Sequence, residues 1–222
     1  MKIAILLYEG VTALDAIGPY EVLAAMPDTE IHFVAKTPGV ITTHAGVQCL
    51  HADKALADLP APDIFLIPGC PDPTPACNDE EIIAWIQKAH ETSTWTTSVC
   101  SGALILGAAG ILKGLTATTH WTVHNILKSY GATPTLQRVV REGKIITAAG
   151  VSSGIDMALT LAAAEYGDQV AQGIQLIIEY DPMPPFDAGS PIKAPKHVVD
   201  SLRQKFSDPE VLRQFYPCLG KP

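Results

Sequence analysis

The chain lacks the features that would assign it to several large functional classes. It has no cluster of lysine and arginine, and 15 Lys+Arg against 23 Asp+Glu leave a formal net charge of -8. The electrostatic footprint of a phosphate-backbone partner is therefore missing, and no nucleic-acid partner is expected. No uninterrupted apolar run reaches membrane-spanning length. The opening segment, MKIAILLYEG, carries one lysine and a short apolar run broken by Glu9, too short for a secretory signal with its cleavage site. A soluble, cytoplasmic protein with no membrane partner is the expectation. Cysteine is sparse: Cys49, Cys70, Cys77, Cys100 and Cys218 form an odd-numbered set without C-x-x-C spacing. Reduced thiols are expected in a chain of this size. No H-E-x-x-H motif occurs, and the one histidine pair at metal-like spacing is His120 and His124 in THWTVH. The pair would share a helix face if that segment were helical throughout. With no carboxylate beside it, a structural or solvent-facing role is expected, and no metal.

What is present is a core-forming chain. Of its 222 residues 47% are apolar, enough for one sizeable core. A continuous apolar run at 2–7 reads as a strand covered on both faces, and the segments 31–36, 63–69, 94–99, a run of β-formers, and 144–150 read the same way. Helical stretches are expected between them, at about 20–26, 79–91, 101–109 and 122–130. Strands alternating with helices give the fold class α/β, a doubly wound, mostly parallel sheet with helices on both faces. GVITTHAGVQCL and QRVVREGKIITA, with turns at Ala45-Gly46 and Glu142-Gly143, read as hairpins at the sheet's margins. A long helical region is expected over 153–180. Four prolines between 182 and 191 then exclude a helix or central strand, so 181–195 reads as an arm leading to a short C-terminal helix at 196–206 and a tail. Nothing repeats, and 1–222 is expected to be a single α/β domain.

In a doubly wound sheet ligands bind outside the carboxyl ends of the strands, and three such ends carry chemistry. TTSVCSGALILGAAG ends a strand at Cys100 and opens a helix with small residues, Ser101, Gly102 and Ala103. Amides of a first helical turn and the helix dipole would lower the thiol pKa, which makes Cys100 a candidate nucleophile at a strand-turn-helix elbow. A buried structural thiol is the competing reading. IPGC places Gly69 and Cys70 after another strand; glycine there lets main-chain amides approach a substrate, or the segment is an ordinary turn. The third end, YEGVTALDAIGPYEVLAA, holds Asp15 in an apolar stretch, four residues before a proline that cannot donate to its carbonyl. Asp15 either caps a helix beginning near Gly18 or Pro19, or is a desolvated carboxyl with a raised pKa, and both can hold.

Together LDAIGPYEVLAAMPD, IPGC, TSVCSGALILGAAGIL, ATTHW, GIDMALTLAAAEYG and QLIIEYDPMPPFDAGSP resemble isonitrile (isocyanide) hydratases, members of the PfpI-type superfamily. The resemblance runs from about residue 2 to 195. It implies a flavodoxin-like, class I glutamine-amidotransferase-like fold, a nucleophile at Cys100, an acid/base carboxyl at Asp15, a hydroxyl residue at Ser101, a homodimer, and neither metal nor cofactor. Two departures stand out. The family usually has Gly-Gly where this chain has Gly69-Cys70, which puts a displaced amide or a second thiol near the substrate-binding pocket. Protease-type relatives carry histidine directly after the nucleophile, where this chain has Ser101.

The reaction implied is addition of water to R-N≡C. The Cys100 thiolate attacks the terminal carbon while Asp15 donates a proton, giving a thioimidate; Asp15 then activates water, and expulsion of the thiolate leaves an N-substituted formamide. Ser101 either hydrogen-bonds Asp15 or the water, or serves the helix N-terminus. Two other classes stay open. One is a non-catalytic small-molecule or redox-sensing cysteine protein; similar domains precede AraC-type DNA-binding modules, for which the segment after the arm leaves no room here. The other is a glyoxalase- or deglycase-type cysteine enzyme.

Overall fold

The structure, a computed structural model, describes residues 1–207; Cys218 and most of the expected C-terminal tail lie outside the described residues. In chain order the elements begin with β1 (Lys2–Leu6), α1 (Ala13–Leu23), β2 (Glu30–Ala35), β3 (Gly39–Thr42), β4 (Cys49–Ala52), β5 (Lys54–Ala55) and β6 (Ile64–Ile67). There follow α2 (Thr74–Cys77), α3 (Glu80–Thr92), β7 (Trp95–Val99), α4 (Gly102–Ala108), β8 (Thr116–Ala117), α5 (His124–Ser129) and β9 (Thr133–Pro134). The chain continues through β10 (Val139–Glu142), β11 (Ile145–Ala148), α6 (Ser153–Tyr166), α7 (Asp168–Ile177) and α8 (Lys196–Ser207).

The main sheet has seven strands in the order β10-β11-β7-β6-β1-β2-β5, all parallel except the β10–β11 pair. Its central strands are the segments expected from the sequence: every residue of β6 and β7, and every residue of β1 after Lys2, is buried, Thr96, Thr97 and Ser98 of β7 included. Strands buried on both faces are covered by helices on both sides. The five parallel strands β2-β1-β6-β7-β11 follow the flavodoxin-like order, in which the strand order reverses between β1 and β6. Leu66 lies beside Ile5 and Ile67 beside Ser98. The carboxyl ends of β1, β6 and β7 are thus level, and their loops converge.

Several elements depart from the expectations. Helix α1 begins at Ala13, not near Pro19, so Asp15 lies in its first turn and Pro19 inside it. The proline removes one helical bond, that to the Asp15 carbonyl, and its ring is packed within reach of α6, where a Cβ on Gly154 would come 2.8 Å from Pro19 Cγ. The β3–β4 hairpin is a separate two-stranded ribbon rather than a margin of the main sheet, whereas β10–β11 does form the edge. The region 153–180 is two helices, broken at Gly167, whose φ of 85 leaves the helical region. The segment around His120 and His124 is a short 3-10 turn, Trp121–Val123, followed by α5, so the two histidines do not share one helix face. The proline arm is without helix or strand up to α8, as the prolines require.

Candidate active site

Cys100 occupies the turn between β7 and α4 with a φ of 58, in the left-handed region that non-glycine residues avoid. The turn is held on three sides. The Cys100 amide donates to the carbonyls of Ala148 and Ala149 at 3.1 and 2.7 Å, and the Thr119 hydroxyl donates to the Cys100 carbonyl at 2.8 Å. Gly102 allows the helix to start against the β6 end, because a Cβ there would lie 2.0 Å from the Ile67 carbonyl oxygen. Strain maintained by surrounding structure in this way is typical of positions where side-chain direction matters.

Asp15 has no exposed surface. Its Oδ2 accepts the Gly69 amide at 2.9 Å, and the Gly69 carbonyl in turn accepts the Thr12 amide at 2.9 Å, so the β6 loop is tied to the start of α1. Oδ1 has no main-chain donor, and the side chain acting on the carboxyl is the Cys100 thiol. Burial pushes the Asp15 carboxyl up to about 8, against the opposing pull of the Gly69 amide and the thiol. Burial also raises the Cys100 thiol, reinforced by the Asp15 carboxylate and resisted by the amides of Ser101 and Val151. The expected lowering of the thiol pKa is therefore overturned for the resting pair: the helix-end amides are present, but desolvation outweighs them. Two buried acids side by side keep their protons through neutral pH.

The Ser101 hydroxyl bonds neither Asp15 nor the helix N-terminus. Its Oγ accepts the Cys70 amide at 2.8 Å and donates to the Cys70 carbonyl, and it makes no capping bond to α4. It clasps the β6 loop to the nucleophile turn. Gly69 fits because a Cβ would lie 2.5 Å from the Ser101 nitrogen and 2.7 Å from its Oγ. The Gly69 and Cys70 amides are therefore both engaged, by Asp15 and Ser101, rather than free as an oxyanion pocket. Cys70 does reach the cavity, its thiol pushed up to about 12, chiefly by burial. Tyr8 supports the same loop, its hydroxyl donating to the Pro68 carbonyl at 2.8 Å.

Cys100 and Ser101 open into a cavity of about 860 Å³. Its lining is mostly apolar and includes Leu14, Val123, Ile126 and Tyr130, while Asp15 stands beneath the floor, outside the lining. His120 also lines it, bonded through Nδ1 to the Thr122 hydroxyl at 2.7 Å; burial first, then His124, pushes its pKa down, so it is neutral at neutral pH. No group of three or more His, Cys, Asp and Glu among the described residues could hold a metal ion. Sequence reasoning missed Tyr8, Thr119 and the cavity-facing place of His120. Tyr8 follows a strand's carboxyl end and was open to the same rule that found Asp15; Thr119 and His120 come from a loop that only the tertiary fold brings to β7.

A thiol beside a protonated carboxyl, at the base of an apolar cavity, can add sulfur to an electrophilic carbon and supply a proton to the adduct. The chain is 43% identical over 205 residues to an isonitrile hydratase of Pseudomonas putida, covering 92% of this chain and 90% of that one. An HTH-type transcriptional regulator of Pseudomonas aeruginosa is 27% identical over 142 residues, 63% of this chain and 42% of that protein. Among solved structures, a ThiJ/PfpI family protein from Pseudomonas syringae superposes with a TM-score of 0.89 at 37% identity, covering 96% of this chain and 87% of that one. The DJ-1/PfpI family model matches residues 1–164, and the chain belongs to that family.

Proposed function

We propose that the protein is an isonitrile hydratase, a hydro-lyase that adds water to R-N≡C and gives R-NH-CHO, with Cys100 as nucleophile and Asp15 as general acid and base. The observation that carries the reading is the buried Cys100–Asp15 pair, protonated at rest, at the foot of an apolar cavity. Likeness to the Pseudomonas putida hydratase supplies the substrate class. An isonitrile ends in a two-atom rod, the head best able to reach a carboxyl under the cavity floor.

The first step forms an S–C bond and a C–H bond at the terminal carbon. The Cys100 thiol proton passes to the Asp15 side as the carboxyl gives a proton to that carbon, leaving a thioimidate, R-N=CH-S-Cys100. Water then adds to the same carbon: Asp15 gives its proton to the imine nitrogen and takes one from the water, leaving the tetrahedral adduct R-NH-CH(OH)-S-Cys100. The C–S bond breaks as Asp15 gives its proton to the sulfur and takes the one on the hydroxyl, so that R-NH-CHO leaves and both acids are protonated as at the start. Each step alternates acid and base duty on a carboxyl whose pKa near 8 suits both. Ser101 acts as a positioning residue, through the Cys70 main chain. The assembly is read as a homodimer, a proposal supported by apolar side chains left exposed on α7 and the arm, Leu176, Ile177, Met183 and Phe186; sedimentation at monomer mass would overturn that part.

The test is incubation with a simple alkyl isocyanide and detection of the formamide by mass spectrometry. Wild-type protein should turn over, Cys100→Ala should lose at least about 10³-fold, and Asp15→Asn about 10²- to 10⁴-fold. Absence of formamide with wild-type protein, or undiminished rates in either variant, would overturn the assignment.

A further inference from the structure

Asp72, His44 and His120 are among the titratable side chains that line the cavity above Cys100. No lysine or arginine lines it among the described residues, and Asp72 is the one carboxylate in its wall. Asp15 is beneath the floor and holds its proton at neutral pH, and His120 is neutral there. Asp72 sits on the turn before α2, where its Oδ1 accepts the Thr74 amide at 3.0 Å, leaving the second oxygen available. It takes part in none of the ion pairs among the described residues. Burial raises the cavity thiols Cys70 and Cys77, and the Asp72 charge adds a smaller push in the same direction to both. The net charge of -8 adds in the same direction at long range.

We infer, resting on the hydratase reading for the reacting head, that Asp72 sets the specificity of this cavity for the rest of the substrate: it takes isonitriles whose R group is apolar and neutral or bears a protonated amine, and it rejects those bearing a carboxylate. An anion placed against Leu14, Ile126 and Tyr130 would lose hydration and meet a like charge with no lysine or arginine among the described lining residues to offset it. A cation at the same place gains a carboxylate partner. One charge contact in a half-wet cleft corresponds to about a tenfold change in affinity in each direction.

The experiment uses three cyclohexyl isocyanides that differ only at the 4-position: methyl, aminomethyl and carboxylate. Binding to full-length Cys100→Ala protein is measured by calorimetry, so that turnover is not needed for the readout. The order aminomethyl, methyl, carboxylate is expected, with about tenfold between neighbours, compressing as salt rises from 0.02 to 0.5 M, arbitrary endpoints chosen to vary the screening length from about 20 to about 4 Å. Adding Asp72→Asn, which keeps an acceptor for the Thr74 amide, should collapse the cation-to-anion ratio, and Asp72→Glu should restore it. Equal affinities, a preference for the carboxylate, a ratio that survives Asp72→Asn, or failure of all three compounds to bind would each overturn the inference. Wild-type protein that shows the charge order in binding but forms no formamide would retain Asp72 as the selector and remove the hydratase reading alone.

Discussion

The Gly69 amide donates to Asp15 Oδ2 at 2.9 Å, joining the β6 loop to the first turn of α1, 54 residues apart in the chain. This bond orients the carboxyl while leaving its other oxygen toward the thiol. It exists because the backbone at residue 69 approaches Ser101 more closely than any side chain allows. Gly69→Ala should therefore push the β6 loop off the nucleophile turn. We expect a loss of about 1–3 kcal/mol in stability from overpacking, and an activity loss exceeding what the residual folded fraction explains, because Asp15 loses its orienting donor. Denaturant unfolding and isocyanide turnover on the same preparation separate the two.

The raised pKa of Asp15 makes stability fall as pH rises. The folded carboxyl titrates at about 8 and the ordinary value is 3.8, so between these pH values the native state binds a proton that the unfolded state has released. The slope of unfolding free energy with pH is then negative. The loss begins above the unfolded value, continues to about 8, and amounts to something on the order of 5 kcal/mol for this fully desolvated group. Asp15→Asn mimics the neutral acid and should flatten that part of the profile. Midpoints of urea unfolding at pH 5 and pH 8 check it: the wild-type protein should lose stability relative to the variant, and parallel profiles would contradict the assignment.

The strands were legible because burial on both faces leaves a one-dimensional signature: β1, β6, β7 and β11 fall within the runs that announced them, and β2 starts one residue before its run. The strand-end rule then pointed, without tertiary information, to Cys100, Gly69, Cys70 and Asp15, which the fold brings into one neighbourhood. Asp15's place inside α1 was not legible, because Pro19 reads locally as a helix start and only the packing of α6 against its ring favours carrying the helix through it. Ser101's partner was equally out of reach. Its hydroxyl bonds residue 70, 31 positions away, a pairing set by the register of β6 against β7. The direction of the thiol's pKa failed for a related reason: the helix-end amides are visible in sequence, whereas the depth of burial that outweighs them is not.

Ser101→Ala should destabilise without touching the reacting atoms. It strips a buried hydroxyl that satisfies both the amide and the carbonyl of Cys70. Leaving buried main-chain groups unpaired costs about 1–3 kcal/mol each. Because the Gly69 amide is the neighbouring link in the same loop, the Asp15 contact should loosen too, and the alkaline limb of the pH–rate profile, which reports that carboxyl, should move from near 8. A simple stability loss with an unmoved limb would make Ser101 a structural clasp only.

The last expectation concerns the backbone at the nucleophile. Cys100 holds a φ of 58, and an L side chain in the left-handed region costs roughly 1–2 kcal/mol relative to glycine, which has no Cβ to collide with the following carbonyl. Replacing cysteine by alanine keeps that collision; replacing it by glycine removes it, at the cost of a more flexible unfolded chain. Both variants lose the thiol, its field on Asp15 and its packing, so those contributions largely cancel between them. Cys100→Gly should therefore be the more stable of the two inactive proteins, by about 1 kcal/mol in denaturant unfolding. If alanine were equal or better, the turn would be relaxed in its left-handed geometry, and the bonds from Cys100 to Ala148, Ala149 and Thr119 would have no strain to hold.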